Sequence, residues 1–215
     1  MSWLARNWPH ILDLVRQHLE LAGVPLLAGL LLSVPLGWLA NRSVAARGLL
    51  LSVSGVLYTI PSLALLVVLP AVIGTKILNP VNVMVALTVY TIALLVRSVT
   101  DALGSVPTHV VSAADAMGFR PLRRFLTVEL PLAVPVVVAG LRVAAVSNIS
   151  LVSVGALIGV GGLGELFTDG FQLQFLTPIV VGIVGSVLLA LLADAVLLVA
   201  GRALTPWERG ARRAG

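Results

Sequence analysis

The chain has 215 residues, 59% hydrophobic and 11% charged, with a mean hydropathy of +1.07. Soluble domains carry roughly 25% charged residues, so a water-soluble globule is excluded and a bilayer must solvate much of the surface. The net charge of +5 is no nucleic-acid signal, because the basic residues gather at the ends of apolar runs, and the absence of cysteine excludes disulfides and thiolate metal sites.

Leu4, Trp8, Ile11, Leu12, Val15 and Leu19 recur at helical spacing, with Arg6, Asp13, Arg16 and Gln17 between them. Residues 1–18 therefore read as an extracytoplasmic amphipathic segment on the membrane surface; a frayed lead-in is the alternative. No uninterrupted apolar stretch follows Arg6, so this is not a secretory signal.

A hydrocarbon core of about 30 Å takes about 20 apolar residues as helix. Five stretches qualify: 19–40, 48–72, 81–97, 136–159 and 177–200. The expected fold is an all-α membrane protein with about five transmembrane helices, one membrane domain over 19–200 and a basic tail over 201–215. Pro61 interrupts the second stretch and frees a backbone carbonyl; Thr59 and Ser62 are the expected compensating partners, whether the kink serves packing or lines a pathway. The third stretch is short, and Arg97 at its end is expected to snorkel.

The long polar loop 99–130 follows. Ser105 and Pro107 suit a helix start. Ala113, Ala114 and Ala116 favour helix with little bulk, and Gly118 suits a left-handed stop. Pro121 is expected to open a second helix carrying Arg123 and Arg124, which ends before Pro131. Beyond the fourth stretch, Gly159, Gly161, Gly162, Gly164 and Glu165 form an outer turn, expected to re-enter the membrane. The same glycines satisfy GxGxxG, but a dinucleotide site needs a strand before them, and here a span precedes.

With the N-terminus outside and the C-terminus in the cytoplasm, inner loops hold Arg42, Arg47, Arg97, Arg120, Arg123, Arg124, Arg202, Arg209, Arg212 and Arg213. The outer side holds only Arg6, Arg16 and Lys76, as the positive-inside rule requires. Trp3, Trp8, Trp38 and Trp207 fall near the interfaces. Arg142 and Asp194 lie within apolar runs, where ionisable groups face the bundle interior; they are expected either to pair near an inner gate or, for Arg142, to snorkel. Tyr58 and Tyr90, with Pro61, Ser62, Arg142, Asn148 and Asp194, are the candidate pathway or gate residues. Plain packing is the alternative for both tyrosines.

The run Ser112-Ala113-Ala114-Asp115-Ala116-Met117-Gly118-Phe119, followed by Leu130-Pro131-Leu132-Ala133, resembles the coupling loop of ABC importer permeases. Tyr58-Thr59-Ile60-Pro61-Ser62-Leu63-Ala64, Gly140-Leu141-Arg142 and Gly159-Val160-Gly161-Gly162-Leu163-Gly164-Glu165 resemble the glycine betaine, choline and carnitine members. The resemblance runs from about residue 19 to 200 and implies a type I ABC importer permease fold. It further implies an ATPase docked on Ser112, Ala113, Ala114, Asp115, Met117, Gly118 and Phe119. It also implies a second permease subunit, identical or paralogous, and an extracytoplasmic substrate-binding protein, with the complex in a bacterial cytoplasmic membrane. Quaternary-amine osmoprotectants are the implied cargo, amino acids or other small solutes the alternative, and an engine-free channel or secondary transporter the reading from another class. The motif's glutamate is Ser112 here, and the family's Arg-Asn-Thr element reads Arg97-Ser98-Val99. No Walker GxxxxGK[ST] run is present, so ATP hydrolysis belongs to a separate subunit. Neither a cofactor nor a metal is expected.

Overall fold

A computed structural model describes residues 2–207. Arg209, Arg212 and Arg213 of the basic tail lie outside the described residues. The helices are α1 (Ser2–Ala40), α2 (Val44–Thr59), α3 (Ser62–Ile73), α4 (Pro80–Gly104), α5 (Thr108–Ala116), α6 (Pro121–Arg124), α7 (Leu130–Gly155), α8 (Glu165–Gln172) and α9 (Leu176–Leu204). Among them α1, α4, the run from α6 through α7, and α9 are each long and apolar enough to cross a bilayer. The pair α2 and α3 makes a fifth crossing if its bend of 102° is counted as one broken span.

No break separates residues 1–18 from the first apolar stretch. A single helix of 39 residues carries both. Its inward stripe is Ile11, Leu14, His18, Leu21, Pro25, Gly29, Ser33 and Gly37, all buried at steps of three or four. The stripe lies along α4. A Cβ on Gly29 would stand 2.3 Å from Thr91 Cγ2, and one on Gly37 would stand 2.5 Å from Val99 Cγ1. Small residues at this spacing let two membrane helices approach closely. Pro9, Pro25 and Pro35 sit inside α1 without ending it, as neighbouring helices permit in membranes.

The core has two parts. The larger gathers Leu14, Leu21, Leu66, Leu87, Val152 and Leu163 from α1, α3, α4, α7 and the outer turn. The smaller sits at the opposite end, where Val99, Ala102, Phe125, Ala133 and Val137 meet. Outside these, α9 turns Val180, Leu188, Leu191, Val196 and Val199 outward, all about half-exposed or more, as a lipid-facing or subunit-facing helix would.

Two local expectations change. Ser105 does not cap α5: it ends α4, its hydroxyl donating to the Ala102 carbonyl at 2.7 Å. Pro107 occupies the N-cap of α5, with no side-chain cap bond. Nor does the helix opened by Pro121 stop before Pro131. It widens into a π turn over Phe125–Glu129 and continues as α7. Pro131 has no N–H for the regular ladder, and the wide turn stands immediately before it.

Candidate functional site

The polar loop folds as helix, glycine turn, helix. In α5, Ala114 is buried while Ser112, Ala113 and Asp115 are exposed, as is Met117 at the C-cap. The helix ends in a complete Schellman motif. Gly118 takes φ +78°, its N–H donates to the Asp115 carbonyl at 2.9 Å, and the Phe119 N–H donates to the Ala114 carbonyl at 3.1 Å. Arg123 lies over the Phe119 ring at 4.9 Å.

Arg124 fixes the two arms of this loop. Its Nη1 donates to both Asp115 carboxylate oxygens at 2.6 Å, and its Nε donates to Glu129 Oε1 at 2.5 Å. One guanidinium thus joins α5 to the π turn. Phe125, in that turn, is 4% exposed and packs on Trp38 at a ring separation of 5.2 Å. Trp38 also carries the Arg42 guanidinium at 4.3 Å. The loop is therefore connected to the end of α1 through aromatic contacts and to α7 through continuous helix. Composition marked the loop, but the role of Arg124 was missed, although its nine-residue separation from Asp115 across a glycine turn is the pattern of a clamped hairpin.

At the α2–α3 break, Thr59 Oγ1 donates back to the Val56 carbonyl at 2.7 Å. The carbonyl that Pro61 deprives of its donor, that of Leu57, takes the Ile60 N–H at 3.4 Å instead, and the Ile60 carbonyl left at the break accepts from the Tyr90 hydroxyl of α4. Tyr58 meets Tyr90 edge to face, with centroids 6.1 Å apart and planes at 86°. Pro61 is exposed and Ser62 half-buried beside them.

Arg142 and Asp194 do pair. Nε reaches Oδ1 and Nη2 reaches Oδ2, both at 2.7 Å, a bidentate bridge between α7 and α9. Asn148 is elsewhere. It is 2% exposed, and its Nδ2 donates to Thr91 Oγ1 at 2.9 Å and the Ala22 carbonyl at 3.3 Å. It ties α1, α4 and α7 together and faces no open space.

At the outer end, Gly159 ends α7 and its short 3₁₀ extension with φ +82°. Gly161, Gly162 and Gly164 are buried against helix backbone, while Glu165 is partly exposed at the first turn of α8. No strand precedes them among the described residues, so the GxGxxG run has none of the context of a dinucleotide site. Their anchor is His18, which the sequence reading passed over. The ring is fully buried; Nε2 donates to the Ile149 carbonyl at 2.9 Å, and the Leu163 N–H donates to Nδ1 at 3.3 Å. One donor and one acceptor make this the neutral imidazole.

A multi-span helical bundle with a clamped helical hairpin at one end and a glycine turn at the other is the architecture of a multi-pass membrane protein. The sequence pattern of the family described as "Binding-protein-dependent transport system inner membrane component" matches residues 29–206, and the chain belongs to that family. It is 31% identical to the glycine betaine/carnitine/choline transport system permease protein OpuCD of Bacillus subtilis, over 97% of this chain and 90% of that one. It is 39% identical to the ergothioneine transport permease/ergothioneine binding protein EgtU of Helicobacter pylori, over 77% of this chain but 29% of that longer protein. Among solved structures, an inward-facing MetNI methionine ABC transporter chain superposes with a TM-score of 0.80 at 25% identity, covering 89% of this chain and 94% of that one. The protein is thus a multi-pass permease of the ABC importer type, a transport component rather than a catalytic one, that works with a binding protein.

Proposed function

We propose that this permease carries quaternary-amine osmoprotectants such as glycine betaine, choline, carnitine and proline betaine into a bacterial cell. The observation that carries this reading is similarity over nearly the whole chain to a permease named for glycine betaine, carnitine and choline. Those three solutes share a trimethylammonium group, and so does ergothioneine, named for the second relative. An ATPase docks on the exposed side of α5, around Ser112, Ala113, Asp115 and Met117, with Gly118 and Phe119 closing the turn. A second permease subunit completes the pathway. The substrate-binding protein docks at the other end, beside the glycine turn and α8. The N-terminus is outside and the C-terminus in the cytoplasm.

ATP binding draws the ATPases together, and the push enters at α5. Arg124 transmits it to the π turn and α7, and the Trp38–Phe125 contact transmits it to α1. The Arg142–Asp194 bridge makes α7 and α9 move as one wall on the inner side of the pathway, while Tyr58, Pro61, Ser62 and Tyr90 form its bend. Hydrolysis resets the gate.

Deleting the gene is expected to abolish salt-stimulated uptake of labelled glycine betaine, and restoring it is expected to recover uptake. Uptake indifferent to deletion removes the substrate assignment. A second reading, an amino acid as cargo, draws on the likeness to the methionine transporter; labelled methionine uptake that follows the gene, with betaine uptake that does not, would establish it instead.

A further inference from the structure

Between α2, α4 and α7 lies an open cleft of about 450 Å³, within the roughly 300–1,000 Å³ of small-molecule sites. Ala93, Leu94 and Val143 give it apolar walls, and Tyr58 and Arg97 both line it. Its floor is closed where α7 crosses α4: a Cβ on Gly140 would stand 2.7 Å from Ser98 Cβ. Tyr58 is 52% exposed, and Tyr90, itself held by the Ile60 carbonyl, packs against one side of its ring.

Arg97 lies two turns beyond Tyr90 on the same face of α4, a rise of about 10 Å. It is exposed, and among the described residues it makes no hydrogen bond or ion pair. Arg47, Arg124 and Arg142, by contrast, each hold a carboxylate. Arg97 does not end its span as the sequence suggests: α4 runs on to Gly104, so the residue lies inside the helix rather than in a loop. An arginine within a span is costly and takes a partner where one exists. The described residues supply none, which leaves the guanidinium open to a mobile anion.

We propose that this cleft is a transit subsite for a zwitterion, with the Tyr58 ring receiving a quaternary ammonium and Arg97 a carboxylate. The aromatic face attracts the cation through its quadrupole, and the guanidinium fork matches the carboxylate in two parallel hydrogen bonds. The chemistry selects betaines over choline, which has the ammonium but no carboxylate. The proposal rests on the quaternary-amine reading above and names the groups that would act on it.

The test uses the whole importer, with ATPase and binding protein, in proteoliposomes, and reads labelled glycine betaine and choline influx side by side. Arg97→Gln is expected to lower the betaine-to-choline flux ratio by about tenfold or more, the worth of one charged hydrogen-bonded contact. Arg97→Lys recovers part of that ratio, and Tyr58→Leu slows both solutes together. A ratio is insensitive to how much protein assembles, so poor folding cannot imitate the result. If Arg97→Gln slows both solutes equally, the subsite is wrong while the substrate assignment stands. If the wild-type importer moves neither solute, the substrate assignment falls and the subsite with it.

Discussion

Gly118 and Gly162 both hold left-handed backbone, at φ +78° and +48°, but nothing crowds the first while His18 crowds the second. A Cβ on Gly118 meets no atom within 4 Å, whereas one on Gly162 stands 2.9 Å from the His18 Cα and N. Gly118→Ala therefore carries only the backbone penalty, about 1–2 kcal/mol, paid locally in the Schellman turn. It is expected to give a complex that assembles but whose ATP hydrolysis is poorly coupled to uptake. Gly162→Ala adds a clash with backbone that cannot swing away, and is expected to lower the melting temperature of the purified permease by more than Gly118→Ala does. Equal thermal shifts would contradict this difference. The stop at Gly118 was legible because a glycine after an alanine-rich run has few other uses. The His18 contact was not, because its partners Ile149 and Leu163 lie 131 and 145 residues away. Distance in sequence likewise hid the Arg142–Asp194 geometry, although membrane cost alone was enough to single out both residues.

The break between α2 and α3 shows what a proline does and does not specify for an element. Pro61 forces an interruption, because it lacks the N–H and its ring crowds the preceding turn. At the 102° bend the Ile60 carbonyl, left without a helical partner by the break, finds its donor in Tyr90 on α4 rather than in Thr59 or Ser62. Tyr90→Phe keeps the ring packed on Tyr58 but leaves the Ile60 carbonyl without its donor. It is expected to destabilise the purified permease by about 1 kcal/mol and to slow uptake more than Thr59→Val does, since Thr59 bonds only within its own helix. Thermal unfolding and initial uptake rates of the two variants check the order. The length of α1 was only half legible. Amphipathic spacing before Leu19 was visible, but its buried side packs on protein rather than on the membrane surface. The spacing of Gly29, Ser33 and Gly37 was the available signal for that packing.

For the molecule as a whole, hydropathy located the spans and the arginine distribution gave the proposed orientation, because both follow from the cost of polar groups in lipid. In the fold, Val44 and Met117 belong to the same end of the bundle as the clamped hairpin, and Phe171 and Leu173 belong to the end with the glycine turn. All four are exposed, at 92%, 69%, 80% and 73%. The chain contains no cysteine, so a single introduced thiol reports its own side without background. In spheroplasts, Phe171→Cys and Leu173→Cys are expected to react with a membrane-impermeant maleimide directly. Val44→Cys and Met117→Cys are expected to react only after permeabilisation. The reverse pattern would invert the orientation, and with it the assignment of α5 to the ATPase side. Adding the ATPase subunit to permeabilised membranes supplies the second half of the test. Met117→Cys should then be protected, being exposed at the C-cap of α5, and Phe171→Cys should label as before. Protection at Phe171 without protection at Met117 would place the engine at the wrong end of the bundle and overturn the mechanical path through Arg124 and Trp38.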